Sequence, residues 1–191
     1  MINVIMGQKS VLVPMTEEEL KMVHTWACDP LITQNYHKCL YEEVESLRKL
    51  ICSHDENIKV YTINTEDSIT IGKLTIEVAE DNSANIDMLI GQKIYIGKGY
   101  GKDALKAAVK HCFEDLGLDA VKMVIKQGHM RAEYCCWACG LREDKYYIPE
   151  EDNNTTRMIT TERIIQDIKI RGAPLLGGCS ILLYASHECH V

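Results

Sequence analysis

Three glycines fall within five residues at Gly97-Lys98-Gly99-Tyr100-Gly101, and an amphipathic stretch follows at once. Glycine takes positive φ at little cost and lets a ligand approach the backbone. Successive N–H groups in such a turn, added to the positive end of the next helix, form a nest for phosphate oxygens. Lys98 and Lys102 add positive charge. A plain glycine-rich turn explains the same glycine count equally well. A dinucleotide loop needs G-x-G-x-x-G, and a P-loop needs G-K-[ST]. The spacing here is G-x-G-x-G, and no G-K-[ST] follows. Upstream, Asp87 lies in the apolar run Asn85–Ile90, where a solvent-facing strand residue is the plain reading of a carboxylate. Cys135, Cys136 and Cys139 cluster on one short segment and read first as small buried hydrophobes. His187, Cys189 and His190 have Cys179 nearby but no C-x-x-C pair, so no metal site is expected.

These residues need elements to hold them. Val11–Pro14 has strand character. Thr16, with Glu19 three positions on, forms a capping box that opens a helix carrying Leu20, Val23, Trp26 and Ala27 on its apolar face. Asp29-Pro30 stops that helix. A second helix runs from about Tyr41 to Cys52. The residues around Ile58–Ile63, Ile69–Val78 and Asn85–Ile90 then read as antiparallel strands, with Glu66-Asp67 as a turn. Lys102–Leu116 is an amphipathic helix stopped by Gly117. Val121–Ile125 is a buried strand, and Met130–Cys139 is a helix stopped by Gly140. Arg142–Ile148 and Arg157–Thr161 are expected to close the sheet across the turn Glu150–Thr155. Trp137 is placed in the core and His111 on a solvated helix flank.

The chain has 191 residues, 46% hydrophobic and 26% charged, which suits one soluble domain with a short appendage. Lys and Arg number 21 against 28 Asp and Glu, and no basic stripe marks a nucleic-acid surface. No run approaches the ~20 apolar residues of a membrane helix, and Met1–Ser10 lacks a cleavage-site pattern. A cytoplasmic protein without membrane or nucleic-acid partners is therefore expected. Nine cysteines, an odd number at scattered spacing, argue against a disulfide framework.

The segment Gly97–Leu105 resembles the coenzyme A pyrophosphate loop of the GNAT N-acetyltransferases. That family's Arg/Gln-x-x-Gly-x-Gly/Ala pattern has Ile96 at its first position here. The family's Asn-x-x-Ala is matched by His129-Met130-Arg131-Ala132, with histidine in place of asparagine. Asn85–Gly91 resembles the Ile-Asp-x-hydrophobic-Ile-Gly strand of aminoglycoside 6′-N-acetyltransferases. Trp26-x-x-Asp29-Pro30 resembles a feature of the same relatives and of ribosomal-protein N-acetyltransferases.

The resemblance covers Val11 to about Ile164. It implies an α/β (α+β) fold, a mostly antiparallel sheet with flanking helices, in which Asn85–Ile90 splays from a parallel neighbour, Val121–Ile125. It further implies acetyl-coenzyme A as co-substrate, without a metal, held by Leu89, Ile90, Ile96, Gly97–Lys102, His129, Arg131 and Ala132. Asp87 is the implied general base, and Cys136 stands where the family often has a tyrosine general acid. Trp26, Asp29, Tyr36 and Asp87 are the implied acceptor-site residues, with His37 beside them. The acceptor is expected to be a small-molecule amine, an aminoglycoside first. A protein N-terminus and a non-catalytic acyl-coenzyme A-binding module are the alternatives. Residues 1–164 form the expected transferase domain and 165–191 an extension. That extension has a homodimer contact among its readings.

Overall fold

A computed structural model describes residues 4–36, 40–53, 55–149 and 154–161. The side chains of 40–43 and 53 are not described, and His37, most of the Glu150–Thr155 turn and the 165–191 extension lie outside the described residues.

Among the described residues, eight strands form one sheet. They are β1 (Ile5–Met6), β2 (Ser10–Pro14), β3 (Ile58–Thr65), β4 (Thr70–Val78), β5 (Ser83–Ile90), β6 (Ala120–Lys126), β7 (Arg142–Glu143) and β8 (Thr155–Thr161). They lie in the order β1-β2-β3-β4-β5-β6-β8-β7, and every neighbouring pair is antiparallel except β5 with β6. This is the mostly antiparallel mixed sheet expected from the sequence. The parallel pair is joined only where Ser83–Asn85 meets Ala120–Lys122. Beyond Asn85 and Lys122 the two strands continue without pairing, so the expected splay is present.

Helices cover both faces. α4 (Tyr100–Glu114) buries Ala104, Leu105, Ala108 and Cys112 against Leu12, Leu74, Ile86 and Val121 of the sheet. The apolar side chains recur at helical spacing, and each large one contributes roughly 1.5–3 kcal/mol on burial. α5 (Met130–Ala138) adds Cys136 to the same core. The opposite face is roofed by α1 (Leu20–Ala27), α2 (Pro30–Thr33) and α3 (Leu40–Ser53), whose Val23, Trp26, Ile32 and Leu47 form a smaller cluster with Val60 and Leu89. Under that roof the sheet also buries Thr62, Lys73 and Asp87. The α4 face holds the larger apolar core, with the polar Ser10, Thr65 and Thr160 buried toward its edges, and the roofed face carries Thr62, Lys73 and Asp87.

Several local expectations change. Thr16 and Glu19 do form the capping box, and the Thr16 N–H donates to Glu19 Oε2 at 2.8 Å. The first turn it opens is a 3₁₀ turn, Glu17–Glu19, before α1 begins. After the stop at Cys28, Asp29 starts a new short helix by accepting the Leu31 N–H at 3.0 Å, with Pro30 at the first helical position. The Arg142–Ile148 strand shrinks to Arg142–Glu143. There Asp144 takes the Tyr146 N–H at 3.0 Å and turns the chain away, as a short Asx turn does.

His111 is buried rather than on a solvated flank. Its Nδ1 lies 2.6 Å from Asp115 Oδ2, one turn on, which satisfies the ring at the helix end. Trp137 is 42% exposed rather than in the core, because Cys136 and Cys139 take the inward face of that short helix.

Candidate functional site

The splay between β5 and β6 opens a cleft of about 670 Å³ that runs from the glycine loop to α2. At one end Gly97 and Gly99 have φ of +78° and +90°, and Gly99 caps α4. A β-carbon at either position would meet nothing within 4 Å, so their glycine character answers to backbone conformation and not to crowding. Gly101 differs, since its β-carbon would make ordinary 3.5 Å contacts with Ile90 and Met88 and no positive φ is required. The first N–H groups of α4 are those a helix leaves without internal partners, and Gly99, Gly101 and Lys102 line the cleft. Lys98 is exposed beside them, over the Tyr95 ring, and Tyr100 packs edge-on against Tyr95 at 5.4 Å.

The loop is anchored from outside the cleft. Asp103, in the first turn of α4, accepts the backbone N–H groups of Gln8, Lys9 and Ser10 at 3.1, 2.9 and 2.9 Å and the Ser10 hydroxyl at 2.7 Å. Partial burial pushes this carboxyl up. The Lys9 amide, the Ser10 hydroxyl and the other two amides outweigh it and hold it below the usual range. No sequence pattern pointed to this tie between the β1–β2 turn and the glycine loop.

Along the cleft walls, Leu89 is buried and Ile90 half-buried on β5, and Ile96 leans against the smaller cluster. Across from them stand Met123 and Ile125 of β6, with His129, Arg131 and Ala132 at the start of α5. Burial, helped by the Arg131 charge, holds the His129 imidazole below its ordinary value and favours the neutral ring. Cys136 also borders the cleft but is fully buried, with Sγ 3.8 Å from Met123 Sδ. Burial pushes its thiol up, so the proton stays on. Its neighbour Cys135 is half-buried, and its thiol is lowered chiefly by the hydrogen bond from Cys139.

The far end is polar. Tyr36 donates its hydroxyl to Asp87 Oδ2 in a short hydrogen bond, and both residues line the cleft. Lys73, wholly buried on β4, lies 2.6 Å from the same oxygen and donates to the Tyr36 hydroxyl at 2.9 Å. The sequence reading named Asp87 and Tyr36 and missed Lys73. A lysine at the centre of a β-branched strand was the available signal. At the mouth, Lys126 Nζ reaches from β6 to the Gln34 carbonyl at 2.9 Å.

Two acceptor-site expectations fall elsewhere. Trp26 is buried under the end of β5, its ring against Gly91. Asp29 caps α2 and pairs with Lys93 at 2.6 Å, and that hydrogen bond is the main cause of its lowered carboxyl. Neither lines the cleft, though the Asp29–Lys93 pair ties α2 to the 3₁₀ turn Lys93–Tyr95 that precedes the glycine loop.

Among the described residues no group of His, Cys, Asp and Glu is placed to hold a metal ion, and no helix is long and apolar enough to cross a membrane.

A sheet splayed at its parallel pair, with a glycine loop feeding a helix at the opening, defines an architecture shared with solved acetyltransferases. Aminoglycoside acetyltransferase AAC(6′)-Ib in complex with coenzyme A superposes with a TM-score of 0.70 at 19% identity, over 84% of this chain and 99% of that one. Spermidine N-acetyltransferase from Vibrio cholerae, in complex with coenzyme A and spermine, superposes at 0.69 and 18% identity, over 83% and 98%. A further AAC(6′)-Ib structure, holding ribostamycin and coenzyme A, gives 0.70 at 19% identity, over 83% and 97%. At such identities the likeness speaks for the fold. No curated protein matches the chain in a sequence search. Residues 10–142 match the family described as the Acetyltransferase (GNAT) domain. The chain belongs to this family and is an N-acetyltransferase.

Proposed function

We propose that the chain transfers an acetyl group from acetyl-coenzyme A to the primary amine of a small molecule. The single observation carrying this reading is the splay of β5 from β6 beside the Gly97–Gly101 loop, which joins an anion cradle to the Tyr36–Asp87 end through one apolar channel. Acetyl-coenzyme A supplies the activated thioester. The amides from Gly97 to Lys102, with Lys98, Lys102 and Arg131 close by, suit its pyrophosphate. Leu89, Ile90, Ile96 and Ala132 form the walls for its pantetheine arm, with His129 at the start of α5. The unpaired edge of β5 near Leu89–Ile90 offers a backbone N–H to the acetyl carbonyl as charge develops on its oxygen.

At the other end Asp87 and Tyr36 orient the acceptor nitrogen, and Asp87 takes its proton as general base. The nitrogen attacks the carbonyl carbon, the C–S bond breaks, and the thiolate needs a proton. That proton comes from Cys136 or from water; burial keeps the Cys136 thiol protonated but also makes it the weaker acid. Aminoglycosides head the acceptor classes, on the strength of relatives solved with ribostamycin and with spermine.

The experiment is mass spectrometry of the products formed from acetyl-coenzyme A and a panel of small amines, polyamines, aminoglycosides and N-terminal peptides. Monoacetylation of a small molecule is expected. Acetylation of peptides alone would replace this reading with the protein-acetyltransferase alternative.

A further inference from the structure

Asp29 does not line the cleft, yet its carboxylate joins two elements that do. Oδ1 accepts the Leu31 N–H at 3.0 Å at the start of α2, and Oδ2 lies 2.6 Å from Lys93 Nζ. Lys93 opens the 3₁₀ turn Lys93–Tyr95, and Tyr95, Ile96 and Gly97 then carry the chain along the cleft into the glycine loop. On the acceptor side α2 brings Leu31 and Ile32 to the same cleft, and Tyr36 follows, its N–H donating to the Thr33 carbonyl at 3.0 Å.

The 3₁₀ turn is fixed to the sheet on its near side. There Gln92 donates through Nε2 to the Thr70 carbonyl at 2.7 Å and through its N–H to the Ile71 carbonyl at 3.1 Å. Lys93 thus stands between an anchor on β4 and the glycine loop. A four-residue helix makes too few internal bonds to hold itself, so α2 takes its position from its contacts. Ile32 and Tyr36 share one apolar cluster with Ile96, and the Asp29–Lys93 pair adds a polar link between the same two elements. Both partners are partly exposed, and such pairs contribute little to global stability. What this pair supplies is the placement of one element against the other.

We infer that Asp29 and Lys93 are positioning residues that couple the two substrate sites. Coenzyme seated on the Gly97–Gly101 loop holds the turn at Lys93, and Lys93 through Asp29 holds α2 and Tyr36 at the acceptor end. This rests on the acetyl-coenzyme A reading of the loop and favours none of the acceptor classes over another. Neither side chain touches the reacting atoms.

The test is hydrogen exchange of the full chain with and without saturating coenzyme A, in wild type, Lys93→Met, Lys93→Arg and Asp29→Asn. The reporters are the Ile32, Thr33 and Gln34 amides, which bond the Asp29 and Pro30 carbonyls. In the wild type coenzyme A slows their exchange by about fivefold or more, the size of an ordinary coupling between sites. Lys93→Met and Asp29→Asn cut that slowing to less than about twofold, although asparagine caps a helix as well as aspartate does. Lys93→Arg keeps it, since a guanidinium holds the same carboxylate. Should one of the two disabling variants not fold, the other decides. The inference falls if coenzyme A slows the Gly97–Lys102 amides of the wild type but leaves α2 unchanged. It falls equally if the disabling variants keep the wild-type slowing, or speed α2 exchange by the same factor with and without coenzyme, as a merely structural pair would. If coenzyme A slows neither segment, the acetyl-coenzyme A reading of the loop fails and the inference with it.

Discussion

A β-carbon on Gly91 would lie 1.9 Å from Cδ2 of Trp26, so the end of β5 and the indole of α1 occupy one space only because residue 91 has no side chain. Trp26 belongs to the cluster that also holds Leu89, which borders the cleft. Gly91→Ala must displace a large buried ring and is expected to destabilise the fold by about 2 kcal/mol, within the range of overpacked cores. Urea unfolding measures this, and a change below about 0.5 kcal/mol would show that the indole moves freely.

The three loop glycines separate by cause. Gly99→Ala keeps open space around its β-carbon but forces an L-residue to φ of +90°, at a cost of about 1–2 kcal/mol. Gly101→Ala meets only ordinary contacts and leaves the melting temperature within about 1 °C of the wild type, since no strain or clash opposes it. Both are expected to raise KM for acetyl-coenzyme A by about tenfold, because each disturbs close approach to the amides. Thermal melts beside steady-state kinetics separate the two effects. An unchanged KM in both variants would remove the loop from coenzyme binding.

Asp103→Asn weakens the tie between the β1–β2 turn and the phosphate-facing helix. Bonds to a charged acceptor are worth about 1.5–3 kcal/mol, and partial exposure brings the expected loss nearer 1–2 kcal/mol. The folded carboxyl is held below its unfolded value, so its stabilisation is complete above the unfolded value of about 3.9 and fades as pH falls through the folded one. The stability gap between wild type and Asp103→Asn should thus be full at neutral pH and narrow below about pH 4. A gap that widened in acid would contradict this sign.

The glycine loop, α4 and the strand at Asn85–Ile90 were legible because their signals are local, whereas the splay of that strand came only from the family resemblance. Glycine spacing precedes an amphipathic helix, and Asp87 interrupts an apolar run. Lys73 showed only as a lysine within a β-branched strand; its burial was not legible, because strand alternation says which face a residue takes but not whether that face is roofed. His111 and Trp137 were misplaced for a related reason. A helical period fixes relative orientation, while the inward direction comes from the partner, here the sheet on α4 and the Cys136–Cys139 side of α5. The Asp103 contacts span more than ninety residues of chain and leave no periodic trace.

Cysteine reactivity follows the same geometry. Cys28 is exposed, whereas burial pushes the Cys112 thiol up to about 12 and raises that of Cys136 as well. With iodoacetamide at pH 8, Cys28 should label early and Cys135 more slowly, while Cys112 and Cys136 stay unlabelled until the chain unfolds. Acetyl-coenzyme A should protect Cys135, which lines the cleft. Peptide mass mapping over time reads this order, and early labelling of Cys136 would show that the α5 wall opens.

The most direct test of the acetyl-transfer account is coenzyme A release from acetyl-coenzyme A, followed with and without a primary amine in wild type and Asp87→Asn. The account predicts saturable, amine-dependent release that falls by about 100-fold in kcat in the variant, the scale of losing a general base. KM for acetyl-coenzyme A should stay near the wild-type value. Amine-independent release, or an Asp87→Asn variant as fast as the wild type, would contradict the role assigned to Asp87 and the end of the cleft it occupies.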